Sequence, residues 1–560
     1  MELQIRNKIE ETDVLIAGGG ISGLQAAIAA GNSGVNVIVA EKAHAKRSGN
    51  GTMGNDHFMC WIPKIHGEDL DFVMNEIKDT MDGPWQDDIM LRKLLERSEE
   101  MVEKWQSYGI NMKPTGEYHF EGHTIPGHQH YHLKFDGRNQ KKSLYEQALK
   151  VGAVIHNHVV ITELLTDDND CIIGAIGISI KEDIPELIIY KAKAVIIATG
   201  PNARAFPPSV PAYMFNICDC PACTGGVAMG YRVGAKLVNY DILGCHAGPK
   251  YFERSGKATW IGALSDSEGK SVSPFVNKPS REYGDPMSDI WPGVFSDKLK
   301  NGTAPVYMNC TELSEEDLEY MKYCFETEGI GSVTDYLEQH KIDLRKSMIE
   351  FGSYSIRFNF AGLEGNTKAE TNVKGLYGAG VAIGNVRGHI TQAAVFGEIA
   401  GENAAEYAKN VKFADEEIIR NHKTIKDKKE LYKKLLERKN GSNWKEVNAV
   451  LQQIMKDYVA SEKRSATLLQ AGKKYIRDLR EASINEIKCE NSHELLRTME
   501  VFDLMDVCEL GALCADNRKE SRGPKHDRPD YPFINPLLNG CLQTVQKQNG
   551  KVVINFRKSI

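Results

Sequence analysis

The sequence predicts an α/β protein in which one domain is interrupted by an inserted α+β domain and is followed by a helical domain. A strand–turn–helix–strand pattern occupies residues 13–42, and apolar runs of strand length return at 193–201 and 373–380. An apolar helical periodicity begins after residue 411. Because 560 residues are too many for a single hydrophobic core, several domains are expected.

The first domain is predicted from four strands. "DVLIA" at 13–17 has the pattern of a buried strand, the alanine-rich "LQAAIAAGNSG" predicts a helix, and "VNVIVAEK" at 35–42 predicts the strand that completes a βαβ unit. "KAVIIATGP" and "VKGLYGAG" predict two further strands. We therefore expect residues 1–240 and 351–410 to be the two parts of one domain.

Residues 241–350 carry glycine, proline, serine and charged residues in irregular order, which indicates a domain inserted into the first one. Within it, "SEEDLE" predicts the start of a helix, with Ser314 as the N-cap and acidic residues in the first turn.

Residues 411–515 predict the helical domain. "VNAVLQQIMKDYV" repeats apolar residues at helical spacing, and "HKTIKDKKELYKKLLERK" has the composition of a helix with a solvated basic face. "KNGSNW" predicts a break between these helices. Residues 516–560 are expected to form a C-terminal tail, in which "GKVVINFRKSI" predicts the late strand of a hairpin.

Bulk composition excludes several classes of function. The net charge of −7 gives no reason to expect nucleic acid or an anionic membrane as a partner. No apolar run approaches the roughly 18 residues of a membrane span, and no apolar signal segment is recognisable. Twelve cysteines are too few for a disulfide framework, so a cytoplasmic protein with mostly reduced thiols is expected. The sequence contains no HExxH, GxSxG or P-loop lysine motif.

The glycine-rich turn "GGGISG" predicts a dinucleotide site. Gly18, Gly20 and Gly23 have GxGxxG spacing, and the motif follows a strand and opens a helix. The glycines allow a tight turn and the approach of a pyrophosphate to the helix N-terminus. Glu41 ends the second strand, where a carboxylate accepts hydrogen bonds from ribose hydroxyls and repels the 2′-phosphate of an NADP-type ligand. An ordinary glycine-rich turn is the alternative, and the combination of strand, helix and acid favours the nucleotide.

Longer stretches carry a resemblance to a known family. "DVLIAGGGISG", "EKAHAKRSGNGTMG", "YKAKAVIIATG", "TGGVAMGYRVGA" and the C-terminal "ESRGPKHDRPDYP" resemble the fumarate reductase and succinate dehydrogenase flavoprotein superfamily, and within it the α subunit of dissimilatory adenylylsulfate reductase. The resemblance implies a Rossmann-like FAD-binding domain with an inserted α+β capping domain and a C-terminal helical domain.

The resemblance also implies which residues contact FAD. Gly49 stands where many membrane-bound relatives have the histidine that bonds covalently to flavin, so non-covalent FAD is expected. The expected cofactor-binding residues are Gly18, Gly20, Ile21, Ser22, Gly23, Glu41, Lys42, Ser48, Gly49, Asn50, Gly51, Thr199, Gly200 and Gly380.

The substrate residues of the family are matched only in part. "YDILGCHAGP" places His246, and "GNVRGHITQ" places Arg387, at positions that bind substrate in fumarate reductases. A second family histidine is replaced by Arg357, and the proton-transferring arginine is matched only loosely, near Lys270. With His389 as a further candidate, the catalytic candidates His246, Arg357, Arg387 and His389 form a cationic site that suits an anionic substrate.

Three functions follow from this resemblance. The first is a flavoenzyme that exchanges electrons between FAD and a small anionic substrate such as adenylylsulfate, in a hetero-oligomer with a ferredoxin-like iron–sulfur subunit. The second is a fumarate reductase-like enzyme that acts on a small carboxylate. The third is a non-catalytic subunit that passes electrons through FAD to other subunits.

The stretch "CDCPAC" places Cys218, Cys220 and Cys223 close together, with Cys245 as the nearest possible fourth ligand. Iron–sulfur patterns commonly use four thiolates in C-x₂-C runs, and the spacing here is C-x-C-x₂-C. Plain thiols are the favoured interpretation, so no metal site is predicted. A metal or cluster, or a redox-active pair near the flavin, are the alternatives.

Overall fold

The structure is a computed structural model of the chain. It describes residues 3–53, 55, 57–79, 83, 85–121, 128–207, 224–249, 264–272, 294–327, 331–522 and 526–560.

The regular elements of these residues form four sheets and the helices that cover them. The strands are, in chain order, β1 (Gln4–Ile5), β2 (Glu10–Ala17), β3 (Val37–Glu41), β4 (His57–Met59), β5 (His132–Lys134), β6 (Val154–Asn157), β7 (Val159–Thr166), β8 (Ile172–Ser179), β9 (Glu186–Ile197), β10 (Leu237–Val238), β11 (Leu243–Pro249), β12 (Leu264–Ser265), β13 (Val306–Met308), β14 (Ile349–Phe358), β15 (Gly362–Leu363), β16 (Leu376–Gly378), β17 (Cys541–Gln548) and β18 (Lys551–Lys558). The helices are α1 (Ile21–Asn32), α2 (Pro63–His66), α3 (Leu70–Ile77), α4 (Asp88–Glu96), α5 (Ser98–Ser107), α6 (Gln140–Lys150), α7 (Val227–Arg232), α8 (Val294–Lys300), α9 (Glu315–Thr327), α10 (Gly331–Gln339), α11 (His389–Asn410), α12 (Glu416–Arg420), α13 (Lys423–Glu437), α14 (Trp444–Ile454), α15 (Ala466–Glu486) and α16 (Ser492–Asn517).

The largest sheet contains all four strands that the sequence predicts for the first domain. β2 lies between β3 and β9, parallel to both, and β16 pairs in parallel with the end of β9. β6 extends the sheet beyond β3, while β8 and β7 extend it beyond β9 as antiparallel strands. The last four residues of β2 and all of β3 are buried, as expected for central parallel strands covered on both faces.

Helices α1 and α11 pack closely against each other beside this sheet. A Cβ added at Gly401 would lie 2.3 Å from the carbonyl oxygen of Ala26, and one at Gly397 would lie 2.7 Å from that of Ser22. Only glycine permits this backbone contact. The contact joins residues 389–410 to the N-terminal βαβ unit, so both parts of the predicted domain share one core.

The inserted segment forms a second, smaller sheet in the order β11-β14-β13-β12, together with helices α8, α9 and α10. Its buried residues, among them Met308, Met321 and Phe325, form a core separate from that of the large sheet. The Ser314 hydroxyl accepts a hydrogen bond from the Asp317 amide at 3.0 Å, as the predicted N-cap requires. The α+β character of the insertion is confirmed.

The C-terminal helices α12 to α16 form the helical region, and a π-helical turn at Met455–Val459 follows α14. The break predicted by "KNGSNW" lies between α13 and α14, where Asn443 and Glu446 form a capping box. The basic helix α13 is amphipathic, because it buries Tyr432 and Leu435 while Lys426, Lys433 and Lys434 are exposed. Lys428 departs from the predicted solvated face, since it pairs with the buried Glu163. Val450 is 47% exposed, although the helical periodicity assigned it to the apolar face.

The last strands form the predicted hairpin, β17 with β18. β17 also pairs with β10, so the hairpin completes a four-stranded sheet with strands from the middle of the chain. Among the described residues, the helices are all too short or too polar to cross a membrane.

Candidate functional site

A cavity of about 690 Å³ opens where β2, β3 and β9 end. Ala17 from β2, Glu41 from β3 and Ala198 after β9 all contribute to its wall. Ligands of open α/β sheets bind at this carboxyl edge, because the loops that follow neighbouring parallel strands diverge there and leave a crevice.

The glycine-rich turn forms one part of the wall. Gly18 has a φ of +107°, and a Cβ there would lie 2.5 Å from the carbonyl oxygen of Ala198, so the turn passes too close to the end of β9 for any side chain. A Cβ at Gly23 would lie 1.9 Å from the Gly18 carbonyl oxygen. A Cβ at Gly20, which lines the cavity, would meet no protein atom within 4 Å. The absence of a side chain at Gly20 therefore leaves room for a ligand at the N-terminus of α1.

Glu41 is held in place by the backbone around it. One carboxylate oxygen, Oε2, accepts a hydrogen bond from the Gly19 amide at 2.7 Å, and the other accepts one from the Ala43 amide at 2.8 Å. The side chain is only 6% exposed and lines the cavity. The carboxylate is thus fixed at the end of β3, where a ribose-binding acid is expected.

Two buried hydroxyl groups in the cavity wall have no hydrogen-bond partner among the described residues. They are Ser48 Oγ and Thr199 Oγ1. Because buried polar groups are almost always hydrogen-bonded, these two indicate that a polar ligand belongs in the cavity. Together with the open space at Gly20 and the fixed carboxylate, they fit a dinucleotide cofactor.

The N-terminus of α11 also faces the cavity. His389, Ile390, Gln392 and Ala393 line it, and the amide nitrogen of the Gln392 side chain donates to the carbonyl oxygens of Gly380 and Ile383, both at 3.0 Å. The first amides of a helix and its dipole favour negative charge. This end of the cavity is therefore suited to an anionic group.

The structure brings three of the four catalytic candidates into the same cavity wall: Arg357 from β14, Arg387 from the loop before α11, and His389. Arg387 is 8% exposed, and its guanidinium lies 5.2 Å from the ring centre of Phe360. His389 has a φ of +50°, and its ring centre lies 6.5 Å from that of His132. His246 lies in β11 opposite Tyr354, and its side chain falls outside the described residues.

Most of the predicted cofactor residues lie in the wall of this cavity: Gly18, Gly20, Ile21, Ser22, Glu41, Lys42, Ser48, Gly49, Asn50, Gly51, Thr199 and Gly200. Gly23 and Gly380 do not line the cavity, but each lets neighbouring segments of the chain approach more closely than a side chain would allow. Gly380 has a φ of +61°, and a Cβ there would lie 2.8 Å from the Ser22 side chain.

The loosely matched cation Lys270 does not reach the cavity. Its side chain is 74% exposed and pairs with Glu268 at 2.8 Å. Sequence matching failed here because the segment has no motif that fixes its register.

The cysteine cluster cannot be located in the structure. Cys218, Cys220 and Cys223 lie outside the described residues, and so does the side chain of Cys245. In the part of the chain that is described, no group of three or more histidine, cysteine, aspartate or glutamate residues could hold a metal ion. The predictions for the cluster therefore stay predictions.

Part of the cavity wall was missed by sequence reasoning. Helix α16 contributes Leu496, Met499, Glu500 and Asp503. These residues carry no local motif, since their contact with the cavity depends on how a helix distant in sequence packs beside the loops that follow β3 and β9. By contrast, Arg47 and Thr52 adjoin the "SGNG" stretch and could have been included from their position alone.

Comparisons with known proteins identify two segments of this architecture. The family model described as an FAD binding domain matches residues 13–249, and the model described as the fumarate reductase flavoprotein C-terminus matches residues 448–557. The chain is 24% identical to an uncharacterized FAD-dependent oxidoreductase of Methanocaldococcus jannaschii, over 98% of this chain and 97% of that protein.

Two further proteins are similar over nearly the whole chain. One subunit of the CoM/CoB fumarate reductase of Methanothermobacter marburgensis is 23% identical, over 95% of this chain and 96% of that protein. The structure of adenylylsulfate reductase from Archaeoglobus fulgidus superposes with a TM-score of 0.83 at 20% identity, over 100% of this chain and 96% of that one. At this identity the structural likeness shows a shared fold.

Proposed function

The chain belongs to the fumarate reductase and succinate dehydrogenase flavoprotein superfamily and is an FAD-dependent oxidoreductase, and from this premise we propose that it is a catalytic subunit that acts on a small anionic substrate. One observation carries the proposal. The wall of a single cavity contains the glycine-rich turn, the cationic side chains of Arg357 and Arg387, and His389.

In this proposal FAD occupies the cavity without a covalent bond. Glu41 accepts hydrogen bonds from the ribose, and the N-terminus of α1 binds the pyrophosphate. Gly49 has no side chain that could bond to the flavin. Precipitating the protein with acid is expected to release all of the flavin into the supernatant. Flavin that stays with the precipitate would contradict non-covalent binding.

Arg357, Arg387 and His389 bind the anionic substrate through charge-assisted hydrogen bonds. When bound, FAD supplies or takes up the two electrons of the reaction. The cations hold the substrate in one orientation and stabilise negative charge that develops on it. The N-terminus of α11 adds to this stabilisation, since its dipole favours the same sign of charge.

We propose adenylylsulfate as the substrate. Its reduction places two electrons on sulfur, breaks the bond between sulfur and the bridging phosphate oxygen, and releases sulfite and AMP. Fumarate reduction instead requires a proton to reach carbon. Lys270, the nearest match to the proton-transferring arginine of the family, is exposed and outside the cavity wall, which favours adenylylsulfate. A ferredoxin-like iron–sulfur subunit is the proposed electron partner.

Stopped-flow oxidation of the reduced flavin distinguishes the candidate functions. Rapid oxidation by adenylylsulfate, and reduction of oxidised flavin by sulfite only when AMP is present, would support the proposal. Oxidation by fumarate and not by adenylylsulfate would establish the carboxylate enzyme instead. Reaction with neither, combined with rapid electron exchange with a ferredoxin, would identify a non-catalytic electron-transfer subunit.

A further inference from the structure

Helix α16 of the C-terminal region closes the cavity beside Glu41 and Lys42, and we propose that it retains FAD there through a buried cluster of charges centred on Glu500. Because Glu41 marks the ribose, this is the end of the cavity that holds the adenosine half of the cofactor. The inference rests on FAD binding in this cavity and does not depend on the substrate.

Glu500 joins two loops of the FAD-binding domain. Its carboxylate pairs with Lys42, directly after β3, and with Arg204, which follows β9, at 2.7 Å. Arg497, one turn earlier on α16, donates to the same carboxylate at 2.8 Å. Lys42 also donates to the Thr224 hydroxyl at 3.3 Å. Residues of both loops line the cavity, so the Glu500 carboxylate links the loop after β3 to the loop after β9 at the cavity wall.

The charge of Glu500 depends on these partners. Burial by itself would raise the pKa of the carboxyl group, but the positive charges of Lys42, Arg204 and Arg497 lower it to about 2. The group is therefore ionised at neutral pH. Without this negative charge, three cations would lie together in a buried site, and their repulsion would push α16 away from the loops.

Other contacts hold α16 in place independently of Glu500. Arg232, on α7, pairs with Asp503 at 2.7 Å and with Asp506 at 2.8 Å, and it also pairs with Glu163 on β7. The helix also buries Leu504 and Val507 completely. A variant that lacks only the Glu500 charge is therefore expected to keep its fold.

Leu496 and Met499 complete the closure with apolar surface. Both line the cavity, and they are 2% and 5% exposed. Cofactor pockets are lined mainly by apolar side chains, so these two are suited to contact the purine ring of the adenosine half. FAD binding and the docking of α16 are therefore expected to stabilise each other by the same free energy.

The first test measures FAD affinity in E500Q and in the matched control E509Q, using full-length apoprotein and flavin fluorescence. Glu509 lies on the same helix and pairs with Arg477, away from the cavity. E500Q is expected to weaken FAD binding about tenfold or more, because it removes a hydrogen-bonded charge, and E509Q is expected to leave affinity unchanged. Equal affinity of E500Q and the wild type would overturn the inference.

The second test uses the wild-type chain and does not depend on any variant folding. Hydrogen exchange is compared between apoprotein and FAD-loaded protein. Binding is expected to slow exchange at residues 496–503 as well as in the glycine-rich turn, and to leave α13 unaffected. Slower exchange in the turn without any change at 496–503 would overturn the inference. Failure of the wild type to bind FAD would refute the cofactor assignment itself, and neither test involves a substrate.

Discussion

Asp87 and Asn385 hold each other through two hydrogen bonds. The Asp87 amide donates to the Asn385 carbonyl oxygen at 2.9 Å, and the Asn385 side-chain amide donates to the Asp87 carboxylate at 2.8 Å. The same carboxylate accepts two hydrogen bonds from Arg557 on β18, at 2.7 and 2.6 Å. Asn385 lies two residues before Arg387, so the C-terminal hairpin fixes the loop that carries a substrate-site candidate.

We expect D87N to destabilise the protein by about 3 kcal/mol, because Arg557 would lose the charge of its buried partner. The measurement is the denaturant midpoint of unfolding. D88N is the matched control, since Asp88 pairs with Lys78 at the surface with a side chain that is 51% exposed, and a loss below about 1 kcal/mol is expected there. Equal effects of the two substitutions would show that the Asp87 carboxylate has no special role.

We expect R387M to raise the KM for the anionic substrate roughly 10- to 100-fold while the flavin content stays that of the wild type. The reason is the loss of a charge-assisted hydrogen bond worth about 1.5–3 kcal/mol. R345M is the control, because Arg345 pairs with Glu315 in the inserted domain and does not line the cavity. An unchanged KM in R387M would remove Arg387 from the substrate site.

We expect S48A to change the apoprotein and the FAD-bound protein in opposite directions. The Ser48 hydroxyl is buried without a partner among the described residues, so its removal should stabilise the apoprotein slightly. FAD affinity should fall by about 1 kcal/mol if the hydroxyl bonds to the cofactor. Thermal unfolding with and without added FAD measures both effects, and a loss of stability in the apoprotein would contradict this account.

Stability is expected to fall as the pH drops from about 6.5 to 4, partly because of His66. Burial lowers its pKa to about 4, although a hydrogen bond to the His130 carbonyl oxygen opposes this shift. The unfolded chain therefore takes up a proton at His66 before the folded chain does, and stability that is complete above pH 6.5 is lost as the pH falls. H66Q should reduce the loss of unfolding free energy between pH 6.5 and 4 by up to about 3 kcal/mol, which appears as a flatter dependence of Tm on pH. An unchanged slope in H66Q would refute this assignment.

We expect the isolated chain to contain FAD but no iron and no acid-labile sulfide. The unusual spacing of Cys218, Cys220 and Cys223 favours plain thiols. Elemental analysis of the chain purified on its own measures this directly. Stoichiometric iron together with acid-labile sulfide in the isolated chain would establish a cluster and overturn the plain-thiol interpretation.

The βαβ unit, the glycine-rich turn and Glu41 could be predicted from the sequence because their spacing is local. A strand, a tight turn and a helix within 30 residues have few ways to fold, and the ligand end of such a unit is set by its chain direction. The resemblance extended this prediction to FAD and to the superfamily, which the family models confirm.

Only the tertiary structure decided which distant residues complete the cavity. Glu500 meets Lys42 across 458 positions of sequence, and Asp87 meets Arg557 across 470. Such contacts have no local signature, since they depend on how α16 and β18 are placed against segments that lie far from them in the sequence. The sequence by itself thus determined the fold class and the dinucleotide site, the resemblance identified FAD, and the packing of the C-terminal region determined part of the wall that encloses the site.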